Sequence, residues 1–150
     1  MIRIQEADFD LSTEITNLRK GDLQVGAVVS FLGTVRDMNE GSEVYSMTLE
    51  HYPGMTEKAL EAIVAQAKTR WDISNTLIIH RVGPLKPEDQ IVLVAVTSAH
   101  RAEAFAACEF MMDYLKTAAP FWKKEETAEG GRWVDARVTD DAAMARWKKS

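Results

Sequence analysis

The sequence predicts a mixed α+β fold with a largely antiparallel sheet and a C-terminal hairpin, and three observations carry that prediction. Runs rich in β-branched and aromatic residues follow one another with short connections. Stretches of helical periodicity lie between them without the regular strand–helix alternation of a doubly wound parallel fold. No internal repeat, low-complexity tract or linker divides the chain, so its 150 residues read as one domain, 1–150, long enough to bury a core.

Taken in order, Ile2 to Gln5 reads as a short strand and Ser12 to Lys20 as a short helix stopping at Gly21. Val25 to Val35 has the composition of a long strand. Asp37 to Gly41 is polar and turn-like, and Val44 to Tyr52 is a strand by the alternation of Tyr45, Met47 and Leu49. Pro53-Gly54 breaks the chain. Thr56 then caps a helix to about Arg70, whose apolar positions Ala59, Leu60, Ile63, Val64, Ala67 and Trp71 recur at helical spacing. Thr76 to Val82 and Gln90 to Thr97 are strands joined by a connection over Gly83 to Asp89. Ile91 to Val96 is apolar on both faces, which places it centrally in a sheet. Ser98 to about Thr117 is a helix, Phe121 to Thr127 and Arg132 to Arg137 form a hairpin around Gly130-Gly131, and Asp140 to Lys149 closes the chain as a short helix.

Composition narrows the functional classes. Hydrophobic content of 46% with 27% charged residues is that of a globular protein and argues against disorder. No apolar run approaches a membrane span, and Met1 to Asp8 has acidic residues where a secretory signal carries its apolar core. A single cysteine, Cys108, excludes an internal disulfide framework and fits a reducing cytoplasm. The formal net charge of −5 argues against a nucleic-acid binder. Yet Arg36, His100, Arg101, Lys116, Lys123 and Lys124 sit in segments with apolar neighbours. An acidic protein that keeps local basic clusters points to a small anionic ligand rather than a polyanion.

The stretch from Asp113 to Glu125 carries the most chemistry. It sets Lys116 just before the helix-ending Pro120 and follows the proline with Phe121, Trp122, Lys123 and Lys124. Clustered lysines beside aromatic surface suit proton transfer or anchorage of an anion; equally, lysines at a helix C-terminus complement the helix dipole. On the preceding helix Arg101, Phe105, Cys108, Met112, Leu115 and Lys116 fall in one sector about 100° wide, which reads as the core-facing stripe. Arg101 and Lys116 stand at the two ends of that stripe along the helix, where long cationic side chains either snorkel to water or reach a partly buried anion. Cys108, in mid-stripe, reads as a small core residue. His100-Arg101 at the helix start suits an anion, because unpaired backbone N–H groups and the dipole meet there. His51 and His80 stand isolated, so no metal site is expected. No phosphate-binding glycine loop or nucleophile motif is present.

Several strings together resemble the large, catalytic subunit of molybdopterin synthase. They are Leu49-Glu-His-Tyr-Pro-Gly-Met-Thr56, His80-Arg-Val-Gly83, Thr97-Ser-Ala-His-Arg101, Asp113-Tyr-Leu-Lys116 and Ala119-Pro-Phe-Trp-Lys-Lys-Glu125. Phe31-Leu-Gly-Thr-Val-Arg36 and Arg132-Trp-Val-Asp-Ala-Arg137 extend the match over nearly the whole chain, in order. The resemblance implies an α/β hammerhead-type fold and a homodimer, each copy carrying a small ubiquitin-like sulfur-carrier subunit to make a heterotetramer. It implies transfer of sulfur from the carrier's C-terminal thiocarboxylate onto cyclic pyranopterin monophosphate, giving the dithiolene of molybdopterin, with no tightly bound cofactor. By matching position, Lys116 and Lys123 would be the catalytic lysines. Thr34, Val35, Arg36, His100, Arg101, Lys124 and Glu125 would line the substrate site, with Phe31, Met112 and Arg137 completing its wall. Arg36, His100 and Arg101 would hold phosphate and pterin, while the lysines shuttle protons or neutralise the thiocarboxylate. Two positions depart from the family pattern: Ala118 and Thr34 stand where a basic residue is usual, which reads as tuning of the site.

Arg101 and Lys116 are separated by 15 positions on one helix, roughly 22 Å if it is straight. One pterin-sized ligand does not touch both in a single subunit, so a shared site requires His100 and Arg101 from the second subunit of a dimer. With Cys108 read as core and no C-terminal Gly-Gly in this sequence, the sulfur donor is expected to be another protein. The competing class is a non-catalytic dimeric module that grips a ubiquitin-like tail or an anionic metabolite, with the same lysines as anchors only.

Overall fold

A computed structural model of the chain describes residues 1–36, 38, 39, 42–127, 130–134, 145 and 147. Among the described residues, nine strands and three helices run in the order β1 (Ile2–Gln5), α1 (Leu11–Arg19), β2 (Ala27–Thr34), β3 (Met38–Asn39), β4 (Ser42–His51), α2 (Met55–Arg70), β5 (Thr76–Arg81), β6 (Gly83–Leu85), β7 (Gln90–Ser98), α3 (Arg101–Ala118), β8 (Phe121–Thr127) and β9 (Gly130–Val134). The mixed α+β prediction holds, and the boundaries of most elements move by only one to three residues.

The strands divide into two sheets. The first has the order β1-β5-β7-β2, in which β1 pairs parallel with β5 and the other pairs are antiparallel. Its central strand β7 is the one whose sequence is apolar on both faces, and Val92 to Val96 are all buried. One face carries Ile78, Val92, Val94 and Val96 against Leu60, Ile63, Ala104, Cys108, Met111 and Leu115 of α2 and α3. The other carries Leu77, Ile79, Leu93 and Ala95 against Phe9, Leu11, Ile15 and Leu18, so α1 covers the back. The side chain of Asp10 caps α1 by accepting from the Thr13 N–H at 3.0 Å.

The second sheet has the order β3-β4-β8-β9, with β6 also pairing β4. One contact with the first sheet is a small core of Val35, Met47, Leu49 and Leu85, flanked by Ile91. Val35 follows β2 directly and Ile91 lies at the start of β7, so this seam sits at one end of the first sheet.

Four expectations are corrected. Gly83 to Leu85 is not a plain connection but strand β6, whose Leu85 pairs with Met47. Polar Asp37 to Gly41 includes the short strand β3 at Met38 and Asn39. Thr56 lies inside α2, which is capped by Gly54 at φ 86°, and the Glu57 carboxylate accepts the Gly54 N–H at 2.8 Å. Phe105 is 62% exposed. The buried line of α3 runs through Ala104, Ala107, Cys108, Met111 and Leu115, and Phe105 lies about a quarter turn off it. The closing helix expected over Asp140 to Lys149 and the hairpin residues beyond Val134 lie outside the described residues, except for Ala145 and Trp147. Trp147 packs edge-on against Trp71 and Phe110, and its indole N–H donates to Asp113 at 2.6 Å.

Candidate functional site

Strand β7 runs from Gln90 to Ser98, and α3 turns back over it. The C-terminal turn of α3 therefore lies at the end of the first sheet where β7 begins and β2 and β5 finish. At that end His80, Val92 and Gly33 stand in register across β5, β7 and β2. Lys116, exposed in the last turn of α3, is close enough to His80 for its charge to disfavour protonation of the imidazole. Pro120 ends the helix, and after it the chain enters β8, which lies along β4 in the second sheet.

His80 organises this corner. It is 6% exposed, its Nδ1 lies 2.9 Å from the Arg81 carbonyl, and its ring stacks on Phe121 with centroids 3.8 Å apart. Burial, reinforced by the positive charges of Lys116 and His51, lowers its pKa to about 4 although the Arg81 carbonyl opposes the shift. The ring is therefore neutral near pH 7, with the Nδ1–H donating to Arg81. His51, paired with Phe121 across β4 and β8, lies near enough to act on His80 and has its Nε2 3.8 Å from the Glu57 carboxylate. The two histidines expected to be isolated thus share one neighbourhood.

Lys123, partly buried, is two residues beyond Phe121 and directly opposite Leu49. Alternation along a strand puts it on the face that carries Phe121, so Lys116 and Lys123 approach the same corner from α3 and from β8. Thr34 and Arg36 are exposed at the finishing end of β2, beside this seam. Val35 between them is 6% exposed; its side chain is in the small core, its N–H donates to Asp89 and its carbonyl accepts from Glu88. Met112, one turn before Lys116, is 8% exposed and packs in the main core. Phe31 is 41% exposed on β2 opposite Val94. Lys124 and Glu125 pair in register with Thr48 and Met47 on β4. Arg137 lies outside the described residues.

His100 and Arg101 are at the opposite end of α3. His100 is the N-cap position and Arg101 the first helical residue, both exposed. Here the Ser98 hydroxyl receives the His100 N–H at 3.2 Å and donates to the Asp72 carbonyl at 2.8 Å. Gly26, just before β2, donates its N–H to the Ser98 carbonyl at 3.0 Å. The topology therefore sets the C-terminal turn of α3 with Lys116 at the end of the sheet where Thr34 and Arg36 follow β2, with Lys123 on β8 beyond Pro120, and places His100 and Arg101 at the other end of α3.

Among the described residues no group of three or more His, Cys, Asp and Glu side chains is arranged to hold a metal ion. Cys108 is buried, and burial with the nearby Glu109 charge raises its thiol pKa to about 11, so its neutral form prevails. Sequence reasoning missed Thr56 and His80 as parts of this corner. The available signal was a lone histidine ending the apolar run Leu77-Ile-Ile-His80, a pattern of burial rather than of ligation.

Fold and corner define the class: an α+β protein of two sheets, with a buried histidine stacked on the first residue of β8 and lysines on either side of the proline that leads into it. The chain belongs to the MoaE protein family, whose model matches residues 4–118. It is 71% identical over 146 residues to a molybdopterin synthase catalytic subunit of Ralstonia nicotianae, covering 97% of this chain and 83% of that protein. It is 56% identical over 148 residues to a protein of the same name from Pseudomonas aeruginosa, covering 99% of each. The molybdopterin biosynthesis MoaE protein from Burkholderia ambifaria superposes with a TM-score of 0.85 at 60% identity, covering 100% of this chain and 99% of that one.

Proposed function

We propose that this chain is the catalytic subunit of a molybdopterin synthase. It transfers sulfur from the C-terminal thiocarboxylate of a small ubiquitin-like carrier onto cyclic pyranopterin monophosphate. The observation that carries the reading is Lys116 acting on His80, which stacks on Phe121, with Lys123 two residues further along the same strand. A thiocarboxylate and a cyclic phosphate are both anionic, and two ammonium groups there supply charge stabilisation and mobile protons. Arg36 at the same corner suits the phosphate, since a guanidinium binds it through paired N–H groups. The carrier's sulfur forms a C–S bond to the substrate side chain as a C–O bond there breaks, and opening of the cyclic phosphate draws its proton from a lysine. Water cleaves the resulting thioester, leaving the sulfur on the substrate and a carboxylate on the carrier. The whole chain acts as one cytoplasmic domain with no tightly bound cofactor.

The working form is a homodimer with one carrier on each copy. Supporting this, Arg101 and Lys116 lie at opposite ends of α3, roughly 22 Å apart along the axis. Among the described residues β2 is an edge strand, and with the exposed Phe105, Phe31 and Leu32 it offers apolar surface for a second copy. In such a dimer His100 and Arg101 of one protomer complete the lysine corner of the other.

The test mixes the protein with a thiocarboxylated carrier and cyclic pyranopterin monophosphate and assays molybdopterin as its fluorescent oxidised derivative. Product should require all three components and disappear with Lys116→Ala while carrier binding survives. Loss of carrier affinity in Lys116→Ala, with no product from the unmodified protein, would instead make the lysines anchors of a binding module.

A further inference from the structure

Between Lys116 and Lys123 the chain leaves a helix, passes Ala119 and Pro120, and enters a strand in the other sheet. Two buried polar side chains from distant parts of the sequence hold that passage. Thr56, fully buried on α2, accepts the Tyr52 N–H at 2.9 Å and donates its hydroxyl to the Pro120 carbonyl at 2.9 Å. His80 on β5 lies flat against the next residue, Phe121. The Phe121 N–H turns back to Ala119 at 3.0 Å, so consecutive residues of the junction are each tied.

Neither tie is needed to form the elements. Pro120 ends α3 by lacking an N–H, and valine would fill the space of Thr56 without burying a hydroxyl. A buried hydroxyl with its donor and acceptor roles both used fixes one geometry, because any shift of Pro120 strands a polar group. A histidine held neutral can pack its ring without adding a third cation beside the lysines.

We propose that Thr56 and His80 are positioning residues that clamp the Pro120-Phe121 junction and thereby set the separation of Lys116 and Lys123. The inference rests on reading those lysines as the catalytic pair. Reaction rates are sensitive to such placement, since a displacement of about 1 Å can cost on the order of a hundredfold.

The test measures kcat and KM in the three-component reaction for Thr56→Val and Thr56→Ser, at a temperature where circular dichroism shows each fully folded. Thr56→Val should lower kcat about tenfold to a hundredfold with KM for the carrier within about threefold, and Thr56→Ser should restore kcat. His80→Asn, which keeps an N–H donor but loses the ring, should lower kcat similarly and provides the same reading where Thr56→Val does not fold. A kcat within about twofold of the parent in the folded Thr56→Val or His80→Asn protein overturns the proposal. Lys116→Ala and Lys123→Ala run alongside. If they abolish turnover while the clamp variants do not, only the positioning role falls; if they retain turnover, the reading of the lysines falls and the clamp with it.

Discussion

The imidazole of His80 lies flat on the ring of Phe121, their planes 16° apart, and this contact bridges the two sheets. It is a contact between a strand deep in the first sheet and the first residue of a strand in the second. A charged imidazolium at this buried position would lack water and would face Lys116 and His51.

That environment predicts an acid-sensitive stability. The folded-state pKa of His80 is about 4 against an ordinary value of 6.5, so between these values the unfolded chain binds the proton that the folded chain refuses. The full stability is present above pH 6.5 and is lost as pH falls towards 4, by about 3 kcal/mol in all. Urea unfolding across this window should show the decline in the parent and a much flatter profile in His80→Phe. Parallel profiles in the two proteins would contradict the assignment.

A second prediction concerns the turn that presents His100. A Cβ on Gly26 would stand 2.3 Å from the Ala99 carbonyl oxygen, a backbone atom that cannot swing aside as a side chain can. Gly26→Ala should therefore destabilise the fold by about 1–3 kcal/mol, read as a lower urea midpoint. An unchanged midpoint would mean that the Ala99 turn yields freely.

The shared site predicts complementation between two inactive proteins. Lys116→Ala spoils one corner of each protomer and Arg101→Ala the other. Mixed dimers then hold one site with both defects and one with neither. Reassembling equal amounts after unfolding should recover about a quarter of the parent's activity, from half the dimers with half their sites intact. Recovery no greater than the sum of the separate variants would place both residues in sites confined to one protomer.

Much of the fold was legible because its signals are local. Alternation marks β4, apolarity on both faces marks β7 as central, and helical spacing marks α2 and α3 within a few residues. The short strand β6 escaped because three residues beginning Gly-Pro resemble a turn, and only pairing with Met47 to Leu49 makes them a strand. Phe105 was misplaced because a sector 100° wide on a long helix includes its exposed flank as well as its buried line.

For the candidate site, the residue types and their order were readable, and with them the likeness to a family. The sequence by itself determined that lysines bracket Pro120, that His100 and Arg101 start a helix, and that one helix holds the two cationic ends far apart. Those statements need only chain connectivity and the rise per residue. Only the tertiary structure decided that Thr56 ties Pro120 rather than capping its own helix. It also decided that His80 is a buried ring against Phe121, and that Val35 faces the small core between two exposed neighbours. The physical reason is that a hydroxyl or an imidazole has several competent partners. Which one it takes depends on elements distant in sequence, here α2 and β5 packed against a junction 41 to 64 residues away.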